Sequence, residues 1–442
     1  MKKNLFFKLV LIMSSSIVMA GGGQQNQAGP VQNSKVEIRA RYWGEAKRFE
    51  LYDSIIKEFE NVFTNVNVIR EPSTWNEYFD KLSVQVAGGN APDFLNMHPQ
   101  YAADYIPKGV LEPLDKFITD GIISLNGWAQ GTIDTGMYNG KNYMLAMGVN
   151  INGAIVNTTG FKDLNVAPPP FDWTWDDVKT IGMQVRAAFD AQGKKNCWML
   201  NDLSYSILNF RYYVRGQFSR ELYGPNGEIA CRQSDVESWF AMFKEFRELG
   251  IIPDAATAQE FSTGTIENSL FARDRILIVW NPAAQISFFS ATFPNKDLVL
   301  VRMAGTKDSQ WPCEWPQGAH YGIYSKSTNE KKLASAQLMN FWLNDGRSLK
   351  IFGFDQGVPA NTPLVNQVIV PNLDKPGKMF FDFINKLSVI ATPTNQPPPG
   401  AQELDALFLR CSEQVQFNQM TPAAAAKEFY EQAVAIRTRA SR

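Results

Sequence analysis

The sequence predicts an α/β protein of two lobes, and three observations carry that prediction. At 442 residues the chain is longer than one hydrophobic core usually serves, so two lobes are expected. Its composition, 45% hydrophobic and 20% charged, is that of a soluble globular protein and fits neither wholesale disorder nor a polytopic membrane protein. From about residue 35 onward, stretches that alternate with period two take turns with stretches of helical spacing, the mark of a layered α/β domain.

The first residues read as an export signal. Lys2 and Lys3 precede the apolar run Leu5 to Met13, and small residues lead to Val18-Met19-Ala20, which places a cut after Ala20. Lys8 and Ser14 to Ser16 break the run well short of the roughly 20 apolar residues a retained anchor needs. Residues 21–34, rich in Gly, Gln and Asn, have too little apolar content to pack and read as a flexible tether. Met19-Ala20-Gly21-Gly22 has the spacing of a lipoprotein box, but Gly22 stands where the lipidated cysteine would be, so as written the chain takes no lipid there.

Each following element has a local reason. Val36-Glu37-Ile38-Arg39-Ala40 alternates as a strand, and Glu45 to Phe63 sets Phe49, Tyr52, Ile55, Ile56 and Phe59 at helical spacing. Val66 to Ile69 is a second strand. Ser73 or Thr74 can cap a helix carrying Trp75, Tyr78, Phe79, Leu82 and Val86, which Gly88-Gly89 ends before the strand at Phe94-Leu95. Later helices are expected over 176–188, 234–248, 331–343 and 423–439, and a short apolar strand over 275–279 that Asn281 and Pro282 close. Proline runs at Pro168 to Pro170 and Pro397 to Pro399 mark surface connections.

Charge and side-chain chemistry exclude several classes. The 43 basic and 44 acidic residues balance, which argues against a nucleic-acid footprint. Cys197, Cys231, Cys313 and Cys411 form no C-x-x-C or Cys/His cluster; Cys197 with Cys231 is the most local pairing, and four buried thiols is the equal alternative. With His98 and His320 as the only histidines, histidine-rich metal chemistry is out, and no metal or cofactor is expected. There is no G-x-S-x-G, H-E-x-x-H or phosphate-cradling glycine loop.

An ordered series of short motifs resembles the extracellular solute-binding proteins of ABC importers, the family that includes the maltose-binding protein. It runs Tyr42-Trp43-Gly44; Trp75-Asn76-Glu77-Tyr78 with Lys81-Leu82; Gly88-Gly89-Asn90-Ala91-Pro92-Asp93; and Gly109-Val110-Leu111-Glu112-Pro113-Leu114-Asp115. Gly140-Lys141-Asn142-Tyr143 leading to Gly148-Val149-Asn150-Ile151-Asn152 follows, then Trp173-Thr174-Trp175-Asp176-Asp177, then Gly322-Ile323 with Gly357-Val358-Pro359. No one motif is specific; their order after an export signal is. The resemblance implies a periplasmic-binding-protein-like fold, with a ligand cleft between lobes and several crossings. One lobe would take residues 35–148 plus 322–356, the other 149–321 plus 357–442.

Nine residues are candidates for holding the ligand. Trp43 and Glu45 follow the first strand, where open α/β sheets bind ligands; the alternatives are a core tryptophan and a carboxylate beside a helix start. By the resemblance, the loop with Asn96 and His98 reaches the ligand, Asn150 falls at a contacting place on the first crossing, and Trp280 is an aromatic platform with Asn281 beside it. A loop histidine, turn asparagines and a core-edge tryptophan are the alternatives. Tyr205 and Trp315 complete the set, whereas Trp173, Trp175, Trp239 and Trp342 sit at helix starts or on apolar helix faces and are expected to pack. Aromatic faces combined with planar amides and carboxylates suit a sugar, so the expected ligand is a carbohydrate, an oligosaccharide in particular. The expected partners are the membrane subunits of an ABC importer, with no nucleic acid. The chain is expected to be an exported, monomeric binding protein with no catalytic residues, on the periplasmic or extracellular face of the membrane. The competing expectation is a secreted carbohydrate-active hydrolase, since two carboxylates can meet in space from any positions in sequence.

Overall fold

The computed structural model describes residues 35–261, 265–307, 309–314, 318–392 and 394–440, with nothing stated of the Asn76 side chain. The expected signal segment 1–20, the tether 21–34 and Trp315 lie outside the described residues.

Two separate sheets anchor two cores. The first has five strands in the spatial order Val66–Ser73, Val36–Trp43, Phe94–Met97, His320–Ile323, Leu145–Ala146. Its first three strands run parallel, with Val36 opposite Val66 and Ala40 opposite Phe94, and the late strand returns antiparallel, with Tyr321 opposite Asn96. Parallel neighbours need crossover connections, which the helices Ala46–Val62 and Trp75–Ala87 supply. Tyr52, Ile55, Ile56 and Phe59 are the buried stripe of the first of these helices, and they pack with Trp342 and Phe341 of the helix Asn329–Asn344. The second sheet has four strands in the order Leu298–Arg302, Asn152–Asn157, Ile276–Pro282, Trp198–Leu200. Around it lie the helices Trp175–Ala191, Ile207–Phe218, Gln233–Glu248, Ala401–Gln416 and Pro422–Ala440.

The expected elements form, most of them longer than their sequence signals. Thr174 makes a full capping box with Asp177, which fixes the start of Trp175–Ala191. Gly88 and Gly89, the latter at φ +69°, end the Trp75 helix where expected. Two expectations need correction. The strand at 276 does not stop before Asn281 and Pro282 but runs through both, because Asn281 pairs with Gly153 and Pro282 with Asn152. A proline at the last rung loses little, having no further ladder bond to donate. Nor do the prolines at 397–399 mark a purely surface connection: Pro397 and Pro398 are buried, and the loop is held by Asn395 donating to the Tyr223 carbonyl at 2.9 Å. All four cysteines are free thiols, so the Cys197–Cys231 pairing does not form.

The chain passes between the sheets three times: from Ala146 to Asn152, from Arg302 to His320, and from Phe352 into the helix Lys375–Ile390, which packs on the second lobe. At the first and third passages Val149 and Val358 exchange backbone hydrogen bonds of 2.7 and 2.9 Å. The backbones approach too closely there for side chains. A Cβ at Gly318 would lie 2.1 Å from the Gly148 carbonyl oxygen, and one at Gly357, at φ +118°, would lie 2.5 Å from that of Val149.

Candidate functional site

The crossings leave a cleft of about 520 Å³ lined from both lobes, within the size range of small-molecule sites. A larger groove of about 730 Å³ between Ser83–Lys108 and Pro399–Glu403 has Tyr105 as its one aromatic residue, and that ring is buried.

One wall begins where the first strand ends. Trp43 is 5% exposed, and its ring meets Trp75 edge to face at 4.9 Å and Tyr78 at 4.9 Å. Trp75 itself is 40% exposed, an indole kept partly in solvent at the first turn of its helix while lining the cleft. His98 stands beside it, ring centroids 5.5 Å apart. As the cap of the short helix Pro99–Tyr105, His98 accepts the Gln100 backbone N–H on Nδ1 at 3.2 Å, which leaves the proton on Nε2. Burial, followed by the positive potential of His320 and Arg211, lowers its pKa to about 3. The imidazole is therefore neutral at physiological pH, a hydrogen-bonding group with no charge.

The opposite wall comes from the second sheet. Trp280 lines the cleft but is 4% exposed, boxed by Trp173 at 5.9 Å and Trp175 at 5.4 Å. Its buried Nε1 has no acceptor among the described residues. Asn281, next along the strand, donates to Gln285 at 2.8 Å. Tyr205, 39% exposed, precedes the helix Ile207–Phe218, whose cap Ser206 accepts from the Asn209 N–H. On the first crossing, the side-chain oxygen of Asn150 accepts from the backbone N–H groups of Ile151 and Ala284 at 2.9 and 3.3 Å.

Of the nine candidates, the cleft brings together Trp43, His98, Asn150, Tyr205, Trp280 and Asn281. Glu45 is exposed at the helix start outside the lining, and Asn96 is wholly buried in its strand opposite Tyr321, also outside it. Trp315 is not among the described residues.

Sequence reasoning missed the charged groups and the most exposed indole. Arg48 donates to Asp355 at 2.6 Å, and Arg211 to Glu314 at 2.7 Å; all four line the cleft. By spacing alone Trp75 falls on its helix's apolar stripe, although a tryptophan in a first turn, next to the end of a strand, is a signal for the cleft. At the rim the lobes touch: Tyr101 and Gln100 donate to Asp405 at 2.9 and 3.2 Å, and Asp104 accepts from the backbone of Gly400 and Gln402 at the start of the helix Ala401–Gln416. Chemically the cleft offers flat apolar faces, neutral amides and hydroxyls, and pre-paired charges. Among the described residues no cluster of His, Cys, Asp and Glu could hold a metal.

A two-lobed α/β protein with an aromatic and amide-lined cleft at its crossings is the architecture of a binding protein. The chain belongs to the bacterial extracellular solute-binding protein family, whose sequence profile matches residues 54–374. A binding protein of Brucella abortus (strain 2308) is 21% identical over 219 residues, 48% of this chain and 50% of that protein. This chain thus spans about half the length of the curated relatives it matches. Among solved structures, a periplasmic oligogalacturonide binding protein from Yersinia enterocolitica in complex with saturated digalacturonic acid superimposes with TM-score 0.81 at 18% identity, covering 92% of this chain and 100% of that one. An ABC substrate-binding protein from Listeria monocytogenes in complex with cycloalternan does so with TM-score 0.76 at 21% identity, covering 90% and 98%. At these identities the likeness establishes the fold. Among the described residues no helix is long and apolar enough to cross a membrane.

Proposed function

We propose that this protein captures an oligosaccharide in the cleft and delivers it to the membrane subunits of an ABC importer, as an exported monomer without catalytic activity. The observation that carries this reading is the pairing of Trp75 and Tyr205, large aromatic side chains left about 40% exposed on opposite lobes of one cleft. Leaving such rings in water forgoes burial that would stabilise the fold, and sugars, with their flat C–H faces, are ligands that stack on them. Asn150, Tyr205, Asn281 and His98 remain our assigned contacts, joined by Trp75, with the buried rings of Trp43 and Trp280 supporting the two walls behind them. The lobes divide in our assignment as 35–148 plus 322–356 and 149–321 plus 357–442; the two sheets and their cores support this division, with the boundary before 322 moved back so that the strand His320–Ile323 stays whole in the first lobe. Gly22 leaves the exported chain without a lipid anchor at the position a lipoprotein would use.

The hydrolase alternative has little support from the cleft. Glycoside hydrolysis needs two carboxyl groups free to act as acid and as base or nucleophile, and both carboxylates in this lining, Asp355 and Glu314, are committed to arginines. The test is a thermal-shift panel of di- to pentasaccharides followed by recovery of the sugar. A concentration-dependent rise in the unfolding midpoint with intact sugar recovered is expected. Cleaved sugar would establish the hydrolase instead.

A further inference from the structure

Every charged side chain described in the cleft wall already has its counter-charge. Arg48, on the helix after the first strand, is held by Asp355 of the third crossing through Nε at 2.6 Å and through Nη2 to its backbone carbonyl at 3.3 Å. With its amide oxygen turned toward the guanidinium, Gln356 accepts from Arg48 Nη1 at 2.9 Å as well. Arg211 lies against Glu314 at 2.7 Å, with side chains 8% and 3% exposed. Among the described residues no lysine lines the cleft, and Lys47, on the helix beside it, lies over the Phe288 ring outside the lining. Trp315, Pro316 and Gln317, which follow Glu314 in sequence, carry no charge.

We propose that the oligosaccharide bound here is neutral, and that the Arg48–Asp355 and Arg211–Glu314 pairs set this specificity against sugar acids. This rests on the carbohydrate reading above and narrows it. A uronate carboxylate entering the cleft is compensated most strongly by a cation, which neutral amide donors do not supply. Taking Arg48 or Arg211 for that purpose leaves Asp355 or Glu314 facing the ligand's charge, a like-charge contact in a site sheltered from water. A neutral hydroxyl makes no such demand. It can accept from an arginine N–H and donate to the paired carboxylate without separating the two, and the amides of Asn152, Asn209, Gln100 and Gln285 in the same lining can do both.

The test sets neutral gluco-, galacto- and xylo-oligosaccharides against oligogalacturonates of matched length, on the whole exported chain, by titration calorimetry and thermal shift. At least one neutral sugar is expected to bind at least tenfold more tightly than any oligogalacturonate, with an affinity that changes little between 20 and about 300 mM salt, since no net charge is exchanged. Asp355→Asn, at a pair whose side chains are 20% and 22% exposed, frees Arg48 and should raise oligogalacturonate affinity at least tenfold. An oligogalacturonate that binds the unaltered protein as tightly as the best neutral sugar overturns the charge inference and leaves the carbohydrate reading standing. Indifference to both sets, with binding of a non-sugar solute, overturns the carbohydrate reading itself. Should Asp355→Asn fail to fold, the neutral-to-acidic affinity ratio of the unaltered protein decides alone.

Discussion

The two walls of the cleft use tryptophan in opposite ways. On the first lobe Trp43 is core, and it props up Trp75, which stays 40% exposed over the cavity. On the second lobe Trp280 stands two residues before the end of its strand, yet it is 4% exposed and wedged between Trp173 and Trp175, and the exposed ring there is Tyr205, on a loop. A strand end therefore positions an aromatic residue at the cleft without making it available to a ligand. Availability comes from the residue one layer out, in a helix's first turn or the loop before a helix, where the backbone no longer forces the ring into the sheet's packing.

The largest effect that follows is on Trp280. Removing a ring packed between two other indoles leaves a cavity, and Trp280→Ala should cost about 3–5 kcal/mol of stability, read as a fall in the denaturant midpoint without ligand. Near-normal stability together with lost binding would show that the second wall, like the first, presents a dispensable platform. That would collapse the contrast between the walls.

Next in size is a pH effect located behind the first wall. His320 is wholly buried, and burial lowers its pKa from 6.5 to about 4, against a smaller opposing effect of the bond between Nδ1 and the Gly318 carbonyl at 2.9 Å. A base whose folded pKa is depressed binds fewer protons folded than unfolded. Its stabilising contribution is therefore complete above about pH 6.5 and is lost as the pH falls toward 4, on the order of 3 kcal/mol over the whole window. Urea midpoints from pH 7.5 to 4.5 should fall accordingly, and His320→Gln should make that slope shallower, leaving the share of His98, whose pKa burial also lowers. An unchanged slope in the variant would place the acid sensitivity elsewhere.

How much of this was legible in sequence divides by range. The alternation that gives two α/β lobes rests on local spacing, and Val36–Trp43, Trp175–Ala191 and Gln233–Glu248 lie within a few residues of where their patterns point. Six of the nine candidate residues meet in one cleft because strand ends, caps and crossings are written in adjacent residues. What was not legible is pairing at a distance. Arg48 and Asp355 stand 307 residues apart, and Arg211 and Glu314 stand 103 apart, so no local pattern shows that these charges cancel. Burial was misjudged for a related reason. Trp280 follows the apolar run Ile276 to Val279 and Trp75 follows Ser73-Thr74, which place one on a strand and the other on a helix, but only the surrounding packing, Trp173 and Trp175 on one side and solvent on the other, shows which ring is available.

The exposed rings supply the next prediction. Trp75→Ala should weaken sugar binding by about 1–3 kcal/mol, on the scale of aromatic stacking against other flat ligands. Its unfolding midpoint should move far less than that of Trp280→Ala, since the ring is partly solvated already. Calorimetry and denaturation on the same two preparations separate the outcomes. A Trp75→Ala protein that is strongly destabilised but binds normally would make Trp75 a packing residue of the Trp43 cluster and remove the platform from the first wall.

The smallest effect concerns what Tyr205 contributes from the other side. Tyr205 is 39% exposed and lines the cleft, so its face and its hydroxyl are the two candidate contacts, and two substitutions tell them apart. Tyr205→Phe keeps the face and removes only the hydroxyl. If stacking dominates, its affinity should stay within about 1 kcal/mol of the original, the net worth of one neutral hydrogen bond, whereas Tyr205→Ala should lose about as much as Trp75→Ala. If the phenylalanine variant loses as much as the alanine variant, the hydroxyl is the contact that matters. The second wall then holds its ligand by polar groups alone, with Trp280 as structural support behind them, and the two walls divide the sugar between a stacked face and a hydrogen-bonded edge.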